Sequence, residues 1–464
     1  MVSAAGILTL ALALIAQTPV EPIGDGAAAE APPVCDASER APDPRCGETL
    51  DGREPPKTPA GRRAAQVVLT PPRAAARLVL LPVIEATAGA ERHGVFPWLE
   101  AITTSDDGKV GVRPEIQYST GFVGSVGLGM FYRRFPDPTS ELVARFKTGG
   151  PNIVHAEVSA RGPHWLGLIL GAMWDRRDDR LYAGIGNPAP GAPEPVQARY
   201  QDDIYRAEAL WYTAQGPLLL TLRTGLEGRE YDADDVRGGP SVADTYGASP
   251  ATCAALGLPS PCTDPVLVPG FNVDRRLLYQ RARLALDLRP PGRDSSGVEL
   301  GLEGGVMHGV AADPSRQARL GFDGVAQIGG IDRALLLRFV AAAVEPLGGA
   351  PVPFDEMVSP TGGNGIRGLP DGLLRDRSGL VGTAEYRWLI SSAIDASLFV
   401  DSGAVAGPWF AGLSPEDFRT SVGVGLRFYG KANARYWQES ASQGVQVAYA
   451  RGQGVRLMLT LALF

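Results

Sequence analysis

From Lys109 to the last residue, apolar and polar positions alternate in segments of roughly ten residues bounded by Gly, Pro, Asp or Asn. A period of two places neighbouring side chains on opposite faces of an extended strand. In the segment that begins at Arg276, Leu278, Ala282, Leu284, Leu286 and Leu288 share one face, and Tyr279, Arg281, Arg283, Asp287 and Arg289 share the other. In the next, Val298, Leu300, Leu302 and Val306 oppose Glu299 and Glu303. About sixteen such segments follow one another, from KVGVRPEIQYS to QGVRLMLTLALF, an even number as barrels of the membrane type require.

Alternation alone fits two architectures. A soluble sandwich hides its apolar face inside, whereas a membrane barrel turns it to lipid and keeps charge in a wet lumen. Connections help to choose. ARGPH, AQGP, IGG and LISSA are short, whereas Asp175–Val196, Asp232–Asp274 and Gly348–Arg377 are long. Outer-membrane barrels pair short periplasmic turns with longer outer loops. The predicted fold is all-β, a transmembrane antiparallel barrel of about 16 strands over residues 109–464.

The N-terminus adds to this picture. Ile7–Ala16 is an apolar run too short to span a bilayer as a helix and suited to a signal peptide over residues 1–16, although no Lys or Arg precedes it. Residues 17–108 read as a periplasmic extension, mostly disordered, because the stretch to Arg63 is rich in Pro, Ala and charge and lacks apolar periodicity. ARLVLLPVIEA reads as a strand, and GVFPWLEAIT as a short helix or a plug segment.

Composition narrows the chemistry. The net charge is −7 with acids and bases interspersed, so no basic face points to nucleic acid. The four cysteines form two close pairs, Cys35 with Cys46 and Cys253 with Cys262, which read as loop disulfides on an exported chain. Neither pair has metal-ligand spacing, and His93, His155, His164 and His308 are scattered, so no metal or cofactor is expected. Asp175, Asp178 and Asp179, with Asp202 and Asp203, read as solvated loop charges rather than a divalent-ion site. No G-x-S-x-G elbow is present and no enzyme activity is expected.

The C-terminal third carries an ordered set of motifs. Gly362-Gly363 leads into Ile366-Arg367-Gly368-Leu369; GTAEYRW follows with Glu385 and Arg387; LFVDSGAV carries Phe399, Asp401 and Gly403. SVGVGLRF, VQVAYA and a terminal Phe464 close the chain, and YAGIGN lies at Tyr182–Asn187. In that order the motifs resemble the bacterial surface antigen superfamily of outer-membrane assembly and translocation barrels, of the BamA/TamA type. The resemblance implies that the loop bearing Arg367 is the sixth outer loop. It also implies that this loop folds into the lumen, where Arg367 meets acidic residues on the wall. Within their strands Glu385 and Arg387 share one parity, as do Phe399, Asp401 and Gly403, so each set is expected inside and Tyr386 and Trp388 towards lipid. Arg367 is then a tether between Asp401 and Glu385, and Gly362, Gly363 and Gly368 let the backbone turn.

The implied function is inserting or translocating polypeptide, or lipid, at the outer membrane of a Gram-negative bacterium. Lipid and unfolded or secreted polypeptide are the implied partners. A seam between the first and last strands, loosened by Gly454, is the expected route. The family's POTRA pattern is not seen in residues 17–108, so this would be a short member, without such modules to capture clients. The rival reading is a passive outer-membrane channel, or a structural barrel with binding loops.

Overall fold

A computed structural model describes residues 101–462, apart from 136, 164–165, 189–194, 234–235, 250–265, 290–295, 312, 331–332, 364, 392–393 and 429–443, together with Leu81, Glu85, Gly89, His93 and Trp98. The proposed signal peptide, most of the extension, all four cysteines, His164 and Phe464 lie outside the described residues.

Sixteen antiparallel strands close into one barrel, each paired with its neighbours in chain order and the first with the last. They are β1 (Val110–Ser119), β2 (Ser125–Arg133), β3 (Glu141–Gly150), β4 (Ile153–Arg161), β5 (Leu168–Tyr182), β6 (Ala198–Gln215), β7 (Leu218–Asp232) and β8 (Arg275–Asp287). The second half comprises β9 (Gly297–Gly309), β10 (Arg316–Gly330), β11 (Arg333–Pro346), β12 (Ser378–Ser391), β13 (Ile394–Ala406), β14 (Arg419–Phe428), β15 (Gly444–Ala450) and β16 (Gly454–Ala462).

Parity decides which side chains face where. Val126, Leu128, Phe146, Leu284, Leu302 and Val400 stand exposed on the outer wall, while Tyr279, Glu299, Glu385 and Asp401 on the alternate positions are buried. An apolar exterior of this extent is costly in water, at about 25 cal/mol per Å² of apolar surface, and is stable against acyl chains. Among the described residues no helix is long and apolar enough to cross a membrane.

The long loops gather at one rim, after β5, β7, β11 and β13. One connection on the opposite rim, from β14 to β15, spans residues 429–443 and departs from the short-turn expectation.

Strand boundaries differ from the sequence reading, most at the start of β2 and the end of β5. β2 begins at Ser125, five residues later than the segment read from Thr120, because residues 120–124 form the β1–β2 turn. β5 runs on to Tyr182, through the stretch read as loop from Asp175. The run DRRDD looks too polar for a strand, but its acids are matched by arginines. Asp175 pairs with Arg180 at 2.6 Å, Asp179 with Arg177 at 2.9 Å, and Asp178 with Arg237 at 2.7 Å. Asp202 and Asp203 on β6 pair with Arg180 and Arg176. Apart from Asp175, these carboxylates are buried and ion-paired, not solvated loop charges. Among the described residues no group of three or more His, Cys, Asp or Glu is placed to hold a metal ion.

Candidate functional site

The connection from β11 to β12, residues 347–377, is built in three parts. Its first part is an anchor. Phe354, fully buried, sits among Tyr182, Tyr200, Tyr231 and Phe271 at ring-centroid distances of 5.3–5.7 Å. Edge-on and tilted pairs of this kind contribute beyond their buried area. Beside it, Asp355 accepts from Arg229 at 2.8 Å and is also bonded to the buried Arg275. Burial would raise the Asp355 pKa, but Arg229 and Arg275 hold it below the ordinary carboxylate value.

The second part is apolar. Ile366, Leu369, Leu373 and Leu374 are buried in one cluster with Leu181 and Ala183 on one side and Val381, Val405 and Ala450 on the other. Leu181 belongs to β5 and Val405 to β13, which stand eight strands apart in the ring of sixteen. A single loop segment therefore touches opposite walls. Gly186 pairs with Arg375 by an N–H···O bond of 2.8 Å, and the Asn187 side chain donates to the Val405 carbonyl at 2.5 Å, so YAGIGN also crosses to this loop and to β13.

The third part is the Arg367 contact. Thr383 on β12 is the direct cross-strand partner of Asp401 on β13, and Glu385 is the partner of Phe399. This register sets the two carboxylates diagonally on one face. Arg367 donates from Nε and Nη2 to the two Asp401 oxygens, at 2.8 Å each, and from Nη1 to Glu385 at 2.7 Å. Its backbone N–H also donates to Asp401, at 3.1 Å. The guanidinium carbon lies 3.3 Å from the centroid of Phe399. Thr383 and Ser421 donate their hydroxyls to Asp401, and Arg387 and Arg427 donate to Glu385. Three arginines thus meet two carboxylates inside a site where Asp401 is 0% and Arg367 6% exposed. For Arg367, burial disfavours the charge, and the bonds to Asp401 and the nearby Glu385 outweigh it, so its pKa stands above the ordinary value.

The glycines divide by role. Gly362 has φ of +91°. Gly368 lies against β14 and β15, where an added Cβ would come within 2.5 Å of Ser421 Cβ and 3.0 Å of Ala450 Cβ. Gly403 faces the loop, with its Cβ position 3.1 Å from Ile366 Cδ1. Gly363 has neither a positive φ nor any atom within 4 Å of a built Cβ, so the backbone does not need glycine there.

Tyr386 and Trp388 take the outward parity and stack at 5.8 Å, yet are only 9% and 3% exposed. They are covered, unlike the outward Val400 on β13, and so do not present the open lipid-facing surface their parity suggests. Gly454, expected to loosen the seam, starts β16 and pairs with Ala450 of β15; the described seam rungs lie further on, at Met458–Ala462.

The sequence reading missed the aromatic anchor, the Arg229–Asp355–Arg275 network and Leu181. The aromatic positions come from five separate segments and make a pattern only after closure of the barrel.

No family model matches the chain, and no curated protein matches it. Among solved structures, it is similar to BamA from Haemophilus ducreyi lacking POTRA domains 1–3, at 13% identity and a TM-score of 0.49, covering 76% of this chain and 70% of that one. It is similar to CdiB from Acinetobacter baumannii, at 13% identity and a TM-score of 0.46, covering 76% of this chain and 60% of the other. A bacterial polysaccharide outer membrane secretin aligns at 8% identity and a TM-score of 0.36, over 76% of this chain and 97% of that one.

Proposed function

We propose that this chain is a member of the surface antigen superfamily, set in the outer membrane of a Gram-negative bacterium. On this reading it inserts or translocates polypeptide, with loop six as a plug. The single observation that carries the reading is the loop held against opposite walls, with Arg367 bonded to Asp401 and Glu385. A passive channel keeps its lumen open, and nothing in that role calls for a buried, ion-paired latch across it. No catalytic step is assigned.

The route is the junction of β1 and β16. The described rungs there run over Glu115–Ser119 with Met458–Ala462. Thr120 donates its backbone N–H to Leu457, so alternation turns the nitrogens of residues 118, 116 and 114 towards β16. Residue 114 is proline and has no hydrogen to donate. A ladder with a missing donor opens more easily, and an opened edge templates an incoming strand.

The test is a photo-crosslinking residue placed in growing cells at Tyr118, at Leu459, or at the outward control Leu284 on β8. Polypeptides trapped at the first two and not at the control support the reading. No trapped polypeptide, or equal trapping at Leu284, overturns it.

A further inference from the structure

The turn after β1 is fastened to four parts of the molecule, loop six, β5, β6 and β16. Phe122, at its tip, packs against the cluster of Leu181, Ile366, Leu369, Leu373 and Leu374. The Arg199 guanidinium of β6 lies 4.9 Å from the Phe122 ring centroid and that of Arg456 on β16 lies 5.8 Å from it. Arg199 also donates to the Gly121 carbonyl and to the Asp179 carbonyl, both at 2.7 Å. Val123 donates its N–H to Asp179 at 2.6 Å and accepts from Arg177 at 3.3 Å. Arg456 donates across the seam to the Ser119 hydroxyl at 3.0 Å.

These contacts hold the outer end of β1 from above the lumen. Both arginines are buried, so their attraction to the ring is little weakened by water. The ring is wedged on one side by loop six. The last seam bonds, Thr120 N–H to Leu457 O at 2.9 Å and Leu457 N–H to Thr120 Oγ1 at 2.8 Å, sit directly beside this turn.

We propose that Phe122 is a clasp that couples the position of loop six to the strength of the β1–β16 seam. With the loop seated, Ile366, Leu369 and Leu374 press Phe122 into the place where Arg199 and Arg456 grip it, and the outer end of the seam is closed. When the loop leaves, Phe122 loses its apolar bed, the two arginines lose their shared ring, and the end of β1 is released. The inference rests on the plug-and-seam reading above and adds the part that connects the two.

Amide hydrogen exchange on the full chain tests it. The readouts are peptides covering Ser119–Gly124 and Val455–Leu459 for the seam, and Ile366–Leu374 for the loop. Phe122→Leu keeps apolar bulk and removes the aromatic face. It should raise seam exchange about tenfold, the scale of two lost cation–π contacts, and leave the loop unchanged. Arg367→Ala should raise exchange in both places in the wild-type background. In the Phe122→Leu background it should raise only the loop, because the clasp is already open. Unchanged seam exchange in Phe122→Leu overturns the proposal. So does an Arg367→Ala effect on the seam that is equally large with and without Phe122. If Arg367→Ala leaves the loop itself unmoved, the latch reading fails, and the Phe122→Leu arm still decides the clasp.

Discussion

Asp401 accepts both the backbone N–H of Arg367 and two N–H groups of its side chain. One carboxylate thus fixes the position of the loop backbone and the orientation of the guanidinium together. A surface ion pair is worth little because water competes for both partners. Here the carboxylate has no exposed surface, and the remaining lone pairs are taken by Thr383 and Ser421. Breaking such a pair from one side strands the other charge, and that asymmetry makes the contact a latch.

Asp401→Asn removes the charge and keeps the shape. Arg367 keeps Glu385, so loop seating should weaken by about 3 kcal/mol, the low end of the cost of breaking a buried pair from one side. Protease cleavage between Gly362 and Leu374 in intact cells should rise accordingly. An unchanged cleavage rate would show that Asp401 is not the grip.

Gly368→Val tests the same seat without touching a charge. Its added Cβ would lie within the contact distance of Ser421 and Ala450, on two adjacent strands, so the loop must lift. Gly363→Ala meets open space and should stay within about 0.5 kcal/mol of wild type. Equal effects of the two substitutions, in the same cleavage assay, would contradict the close approach at Gly368.

Phe354→Ala empties the centre of the aromatic anchor. Loss of a fully buried Phe costs about 3–5 kcal/mol. The expected result is a loop loosened at its anchored end, with faster amide exchange over Val352–Val358 and an intact barrel by heat-modified gel mobility.

The Asp355 pKa gives a pH sign. It is depressed in the folded chain, so its contribution is present above the unfolded value of 3.8 and is lost as pH falls through the lower folded value. The anchor should therefore hold at pH 4.5 and loosen only as the pH falls below 3.8. Proteolysis of the loop by an acid-stable protease across this range measures it, and loosening already at pH 5 would contradict the ion-pair account.

The strands were legible because a half-lipid, half-lumen wall enforces period two on every segment, as Leu284 and Arg283 illustrate. The latch was legible by parity: Glu385 and Asp401 sit two strand positions from Arg387 and Phe399, and the motif order placed Arg367 before them. What escaped depends on closure. DRRDD read as loop because the pairings that neutralise it, Asp175 with Arg180, Asp179 with Arg177 and Asp178 with Arg237, form only in the built barrel. The Phe354 anchor draws on residues from Tyr182 to Phe354, and no local pattern joins them. Tyr386 and Trp388 show the limit of parity, which gives the side of a wall and says nothing about what covers it.

Single-channel conductance of the purified barrel in planar bilayers is the most direct measurement of the latch. With loop six closing the lumen, wild-type protein should show low, flickering conductance, and removal of residues 362–372 or Arg367→Ala should raise it. A large, steady wild-type conductance, unchanged when Arg367 is lost, would contradict the account and leave a passive channel in its place.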